Sequence, residues 1–537
     1  MPARNKFMSA DDLRDAASAI ARSHVMPWNG RAMGHRSMIV SILFSLFISP
    51  VMSQPPLTPA DPGRPLLVRG IGMVHHPVST TNIDAQKFFD QGLAYLYGYN
   101  FNNALRSFER ATELDPALAM AYWGKALALG PDMITGPDST REREAGQAVQ
   151  RASLLSSRAS DSERKYIDAL GKRYAVDPKA DRKKNLIAYK QAMRALVDQY
   201  PDDLDAAVLF AAAAMELRPS ALWTFDGKPV EGTNEIVSVL ESVLKQNPNH
   251  PGANCYYIQA VEASPEPERG LPSAERLAVI APAAGYLVHL PAHIYQRIGE
   301  YDKAIQANLL ALKADEALTK GNEKQHDSRD HEHVLYSIAV AASMEGKFEL
   351  AITNARLLAS NALAVVRSVP GAEGYVPTPI LILVRFHKWD EILKLPQPDT
   401  ALHLATAIWH FGRGMAYAGN NDVKHAQDEL ITFNDVSRAV KRTAFFGLNN
   451  AAGIFTVAMN MLSAKIALAQ GRRKSAIEFF SQGITAEDSL RYDERSGWYI
   501  PVRESLGATF MLDGRAAEAE KVFRADLVHH RLSGRSL

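Results

Sequence analysis

A chain of 537 residues is too long for a single hydrophobic core, so several modules or one extended array are expected. Its apolar fraction of 47% excludes wholesale disorder, and 60 Lys plus Arg against 59 Asp plus Glu leave no global field for nucleic acid or anionic lipid. The single cysteine, Cys255, excludes a disulfide within the chain.

The first predicted element is a leader over residues 1–53. An apolar run of about 14 residues, IVSILFSLFISPVM from Ile39 to Met52, follows His35 and Arg36, and cleavage is expected after Ser53. The run is shorter than the ~20 residues a membrane-spanning helix needs. A periplasmic or secreted protein is therefore expected. An uncleaved leader is the alternative, and the one route to a membrane. Met33 or Met38 would make a more natural start for such a leader, and no cysteine follows the run to take a lipid. Residues 54–84 read as an extended segment. It carries the doublet His75-His76 in VHHPVST, which either reaches over an edge of the next element or is incidental.

From Ala85 to Pro116 the chain reads AQKFFDQGLAYLYGYNFNNALRSFERATELDP. Phe88, Gly92 and Tyr95 occupy the fourth, eighth and eleventh places. Ala104, Phe108, Ala111 and Pro116 occupy the twentieth, twenty-fourth, twenty-seventh and thirty-second. That spacing matches the tetratricopeptide unit, a helix-turn-helix of about 34 residues in which small residues stand where two antiparallel helices touch. Further copies follow. One opens near Ala119, its second helix not evident. One opens near Gly285 with Tyr295, Gly299, Ala304 and Ala311, and one near Glu332 with Ala339, Gly346 and Ala351. Two more close the chain, with Ala464, Gly471, Ala476 and Phe480, then Gly507, Gly514, Ala519 and Phe523. The stretches 160–215 and 233–263 are helix-rich, and NEIVSVLESVLKQNP reads as the second helix of a pair. No stretch alternates like a strand. The fold expected is all-α, an α-α superhelix, with one helical array over 85–368, a Pro- and Gly-punctuated connection over 369–400, and a second array over 401–537.

A helix turns about 100° per residue, so a first helix that packs through places four, seven, eight and eleven turns places two, five, nine, twelve and thirteen to the inner, concave wall. With Pro251 opening one unit, those places hold Cys255, Gln259 and Glu262. The unit at Gly285 presents His289, His293, Gln296 and Arg297, and the unit at Glu332 presents His333 and Tyr336. His250, His326 and His331 lie just ahead of these helices. Histidines four apart share a helix face and can bind one ion, with a further ligand from a neighbouring helix. His289, His293, His333 and Cys255 are thus the candidate ligands of one transition-metal ion, Cu, Fe or Zn. Glu262 is then the candidate general base on a metal-bound water. Pro291, between the two histidines, would loosen their pairing if a helix began there. A second polar cluster, RYDERSGWYIPVRESLGATF, brings Tyr492, Asp493, Glu494, Trp498, Arg503 and Glu504. Asp493 or Glu494 is a candidate partner for Arg503, and Glu504 is at place five of a unit opening at Ile500. A capped helix entry at Pro501 explains the same residues.

Together the phrases VHHPVST, FFDQGLAYLYGYN, SFERATELDP, AMAYWGKALALGP, NHPGANCYYIQAVEAS, HLPAHIY and WYIPVRESLG resemble a family of exported bacterial tetratricopeptide-repeat proteins. The likeness covers roughly residues 73–135, 233–350 and 455–530. Members of that family tend to carry histidine where this chain has Cys255 and Gln259, in a phrase like HYYIHAVE. The resemblance therefore implies a histidine-rich groove in relatives that this chain retains in part, and implies no reaction. Two readings follow. In one, the groove recognises a peptide, a protein or a small ligand through Tyr336, Arg297, Gln296, Gln259, Glu504 and Trp498. In the other, the same groove holds a metal-dependent enzyme site. No nucleophile elbow, phosphate loop, dinucleotide fingerprint or HExxH occurs to suggest another chemistry.

Overall fold

About half of the helix starts among the described residues are set by short polar side chains or prolines, which satisfy or dispense with the first free backbone N–H groups. The computed structural model describes residues 65–130, 138–174, 181–319, 328–441, 443–492 and 498–537. The expected leader, His326, Asp493 and Glu494 lie outside them. Asn82 opens α1 (Ile83–Tyr97) by accepting from the N–H groups of Asp84 and Ala85, and Asn100 opens α2 (Phe101–Leu114) through that of Asn103. These two form the antiparallel pair read from the Ala85–Pro116 pattern. Phe108 is fully buried between Gly92 and Gly124, and a Cβ at Gly92 would lie 2.5 Å from its ring. We expect Gly92→Ala to cost about 1–3 kcal/mol through overpacking, read as a lower urea midpoint. An unchanged midpoint would mean that α1 and α2 can part there without loss.

The pairs continue in order. The helix left open by the sequence is α4: α3 (Ala119–Leu129) packs on α4 (Ser139–Leu155), which Asp138 caps. A capping box of Ser160 and Glu163 starts α5 (Asp161–Arg173), the partner of α6 (Arg182–Gln199). Next come α7 (Leu204–Glu216) with α8 (Thr233–Gln246), then α9 (Pro251–Val261) with α10 (Leu271–Ile280). Pro291 divides the following first helix into α11 (Gly285–His289) and α12 (Pro291–Arg297), both packed on α13 (Tyr301–Thr319). After α14 (Ser328–Met344) and α15 (Phe348–Val365), the stretch 369–400 carries α16 (Thr378–Arg385) and α17 (Trp389–Leu393). Ile380, Leu381 and Ile382 of α16 are core residues. The remaining pairs are α18 (His403–Gly419) with α19 (Val423–Ala439), α20 (Ala451–Ala469) with α21 (Arg473–Asp488), and α22 (Val502–Leu512) with α23 (Ala516–His529). α20 is long and apolar enough to cross a membrane, and here it packs against α18, α19 and α21. Among the described residues the strands are two residues each, Phe445–Phe446 and Asn449–Asn450. The architecture is all-α, a superhelix of antiparallel helix pairs of the tetratricopeptide kind.

Two large cores result, one drawn from residues between Ile71 and Ile294 and the other from residues between Ala292 and Ala519. They meet at α12, where Tyr295 packs against both. Both ends of the array also lean on its middle. α1 touches α9, and the Tyr99 hydroxyl donates to Gln259 Oε1 at 3.0 Å. From the other end, Arg531 accepts at its carbonyl from the Tyr301 hydroxyl at 2.9 Å and pairs with Glu268 at 2.9 Å, while His529 stacks on Phe225. The concave groove expected from the repeats is thereby bridged by contacts from both ends of the array.

Candidate functional site

Three first helices supply the residues at the seam between the cores. On α9 and its C-cap residue Glu262, which keeps helical angles, Cys255, Gln259 and Glu262 follow at i, i+4 and i+7, so they share one face and span about 10 Å along the axis. In α11 and α12 the break at Pro291 leaves the register intact, because Leu290 keeps helical angles (φ −53°, ψ −34°). His289 and His293 therefore still stack one turn apart. α14 brings His333 from the next unit.

The three imidazoles converge. His289 Nε2 lies 2.9 Å from His293 Nε2 and 2.7 Å from His333 Nε2, and all three rings are buried. Among the described residues these are one of two groups whose ligand atoms lie within 4.8 Å of one another. Their tautomers follow from the neighbours. Asn308 Nδ2 donates to the carbonyl of Ala304 at 2.9 Å, which leaves its amide oxygen 2.5 Å from His289 Nδ1. Glu262 Oε2 is 2.7 Å from His293 Nδ1. Both Nδ1 atoms must carry hydrogen, so in the neutral rings both Nε2 atoms present lone pairs. Two lone pairs held face to face at this distance repel unless a cation lies between them. Glu262, expected as a general base, is instead the acceptor that orients His293.

Cys255 does not join the group. It sits two turns from Glu262 on α9, fully buried, and its side-chain neighbour is Gln259 Nε2 at 3.9 Å. Burial, with the negative charge of Glu262, pushes its thiol well above the ordinary range, which disfavours the thiolate that a metal requires. Gln259 is likewise engaged elsewhere, donating to the Tyr286 hydroxyl at 2.9 Å and accepting from Tyr99.

Beside His293 opens a cavity of about 410 Å³, whose wall includes Gln296, Arg297, Trp223, Tyr492 and Trp498. Arg297 is fixed by donating to the carbonyls of Glu262 at 2.9 Å and His529 at 3.2 Å. Burial, opposed by Arg503, pushes the Glu487 carboxyl in this wall up to about 8. Trp498 reaches the wall with its indole N–H donating to the carbonyl of Ile500 at 2.8 Å. Tyr336 is buried one turn beyond His333, edge-on to Tyr375 and Tyr499, and acts as packing behind the site. Glu504 is not available to a ligand: it is buried against Arg385, with Nη2 to Oε1 at 3.4 Å, and against Ser533 at 3.0 Å. Arg503 pairs bidentately with Asp488, both bonds being 2.7 Å.

The sequence reading missed Asn308, although a signal existed. Counting from Gly285, Asn308 is at the twenty-fourth place, where other units carry Phe108, Phe480 and Phe523. An amide in place of a core phenylalanine, 0% exposed, marks something polar to be met on the facing helix.

No protein-family model matches the chain, and no curated protein matches it. Among solved structures it is similar to the human IFIT1 dimer with m7Gppp-AAAA, at 15% identity over 83% of this chain and 90% of that one, with a TM-score of 0.38. It is also similar to yeast Tom70, at 12% identity over 84% and 86% of the two chains, with a TM-score of 0.32. Superpositions this loose leave the helix pairing itself as the ground for the architecture.

Proposed function

We propose that this chain, in an exported protein, holds one transition-metal ion on His289, His293 and His333 and presents it to a small ligand in the adjoining cavity. The observation that carries this reading is the committed state of the Nδ1 hydrogens, which turns the Nε2 lone pairs of His289 and His293 toward each other. A proton could bridge one such pair. Three gathered nitrogens, His289 Nε2 with two others beside it, suit an ion better, since a proton serves only two of them. The second partners also fit, because ligating histidines usually donate their other N–H to a carboxylate or carbonyl. Metal–nitrogen bonds of about 2.0–2.1 Å would ask the rings to part by roughly half an ångström. An all-imidazole set suits Zn, Cu or Fe. Three protein ligands leave a position for water or ligand, the pattern of catalytic sites, where an ion activates a bound water or polarises a substrate.

Occupancy by a small molecule is favoured over a peptide or protein segment by the size of the cavity beside His293. A cavity of about 410 Å³ is the size of a small-molecule site. The test is X-ray absorption on protein loaded separately with Zn(II), Cu(II) and Fe(II) and then desalted. The expected result is close to one ion in a shell of imidazole nitrogens at about 2.0–2.1 Å. Retention of less than a tenth of an equivalent of every metal, or a shell without imidazole scattering, would remove the proposal.

A further inference from the structure

The extended segment ahead of α1 is held by side chains that take up its backbone N–H groups. Val68 donates to Gln91 Oε1 at 2.7 Å, His76 to Asp90 Oδ1 at 3.1 Å, Val78 to Gln86 Oε1 at 3.0 Å and Ser79 to Glu163 Oε1 at 2.7 Å. So fixed, the segment delivers His76 to the start of α7, where Asp203 and Asp205 stand. The ligand atoms of His76, Asp203 and Asp205 lie within 4.8 Å of one another, with His76 Nδ1 3.0 Å from Asp205 Oδ2.

Both carboxylates are aimed by buried tyrosines. Tyr97, 0% exposed, donates to Asp205 Oδ1 at 2.5 Å, and Tyr166, 1% exposed, donates to Asp203 Oδ2 at 2.9 Å. His250 Nδ1 accepts from the N–H of Ala253 at 3.2 Å, so its Nε2 carries the hydrogen and faces Asp205 Oδ1 at 3.2 Å. His250 therefore orients Asp205 and is not itself a ligand. The cluster opens on a cavity of about 430 Å³ whose wall includes Asp202, Asp203 and Asp205 and, among the described residues, no lysine or arginine. Two carboxylates whose ligand atoms lie this close repel each other, and a divalent cation bound by both relieves that repulsion.

We infer that His76, Asp203 and Asp205 form a second metal site, one that takes a divalent cation preferring oxygen, such as Mn(II) or Fe(II). One imidazole nitrogen and two carboxylates are a harder donor set than the three histidines, so the two sites differ in metal preference. The cation takes the Nδ1 position of His76, whose proton moves to Nε2 or, from a protonated ring, to solvent. Tyr97, Tyr166 and His250 hold the carboxylates in place as second partners.

The test is Mn(II) titration of the full chain followed by electron paramagnetic resonance. Asp203→Asn is the informative variant, because its amide oxygen keeps the helix cap to the N–H of Ala206 while the charge and the acceptor for Tyr166 are lost. The wild type and His289→Ala should bind about one Mn(II), and Asp203→Asn should bind it about 100-fold more weakly or worse. Circular dichroism on each variant establishes that the fold is kept, and His76→Ala provides a second ligand deletion. Equal Mn(II) affinity in the wild type and Asp203→Asn overturns the inference, as does a wild type that fails to bind Mn(II) at millimolar concentration. Loss of Mn(II) in His289→Ala but not in Asp203→Asn would assign the ion to the three-histidine centre and overturn it equally.

Discussion

Replacing His289 by alanine is expected to lower metal retention at the three-histidine centre from about one equivalent to below about a tenth, under conditions where a catalytic-type site needs three protein ligands. The expectation rests on the shared position of His289 Nε2, 2.9 Å from one partner and 2.7 Å from the other. Without it, His293 and His333 are two ligands from separate helices with nothing between them. The partners behind the rings should show smaller effects. Asn308→Leu removes the acceptor that fixes the His289 Nδ1 hydrogen, Glu262→Gln replaces the charged acceptor of His293 by a neutral amide oxygen, and each should weaken binding about 10- to 100-fold. Asn308→Asp keeps an acceptor and should restore most of the affinity lost in Asn308→Leu. Elemental analysis after loading and desalting reads all four, with circular dichroism as the check on folding. If His289→Ala keeps its zinc or copper, the ion is held elsewhere and the convergence of the rings is only packing.

The parts of this site that could be read from sequence are those that depend on local repetition. Gly92 and Phe108 announce a helix pair, and the frame they set carries forward to place His289, His293 and His333 on one inner stripe. Helical rotation alone gives that result. Pro291 threatened it on paper, and the helical angles of Leu290 preserve it. What could not be read is set by contacts between distant segments. Cys255 and Gln259 share the face of Glu262, but the return of α1 onto α9 gives Gln259 to Tyr99 and encloses Cys255. Glu504 has the periodicity of an inward residue and is inward, yet the last residues of the chain cover it. The pairing of His76 with Asp205 bridges 129 positions, and no repeat frame contains both. Asn308 stood at a place that three other units fill with phenylalanine and two with alanine, and a buried amide there was the legible trace of the site.

Removing the carboxylate of Glu504 should destabilise the fold by about 3–5 kcal/mol, the cost of leaving a buried charge without its partner. Arg385 is 1% exposed, and among the described residues its guanidinium meets, besides Glu504, the neutral carbonyls of Ser343 and Tyr499, each at 3.3 Å. Glu504 Oε1 and Oε2 each accept from it at 3.4 Å, and Oε1 also accepts from the Ser533 hydroxyl at 3.0 Å. One carboxylate thus ties α16 to α22 and to the chain end that bridges the groove. In Glu504→Ala the guanidinium stays buried with carbonyl dipoles alone, and the bridging segment loses an anchor. Substituting both partners by apolar residues of similar volume, Arg385→Met with Glu504→Leu, removes the charge as well as the bond, and should be nearer the wild type than the single variant. Urea unfolding of wild type, each single variant and the double variant gives the coupling directly. The same variants address the cavity, since the tie lies beside Tyr499, whose hydroxyl donates to the carbonyl of Thr378 at 3.1 Å and whose side chain lines the cavity wall. Glu504→Ala should therefore loosen ligand uptake in the cavity as well as stability, whereas the double variant should regain both. A loss below about 1 kcal/mol in Glu504→Ala is what a solvated surface pair would give. It would mean that water reaches Arg385 and that the chain end bridges the groove without this tie.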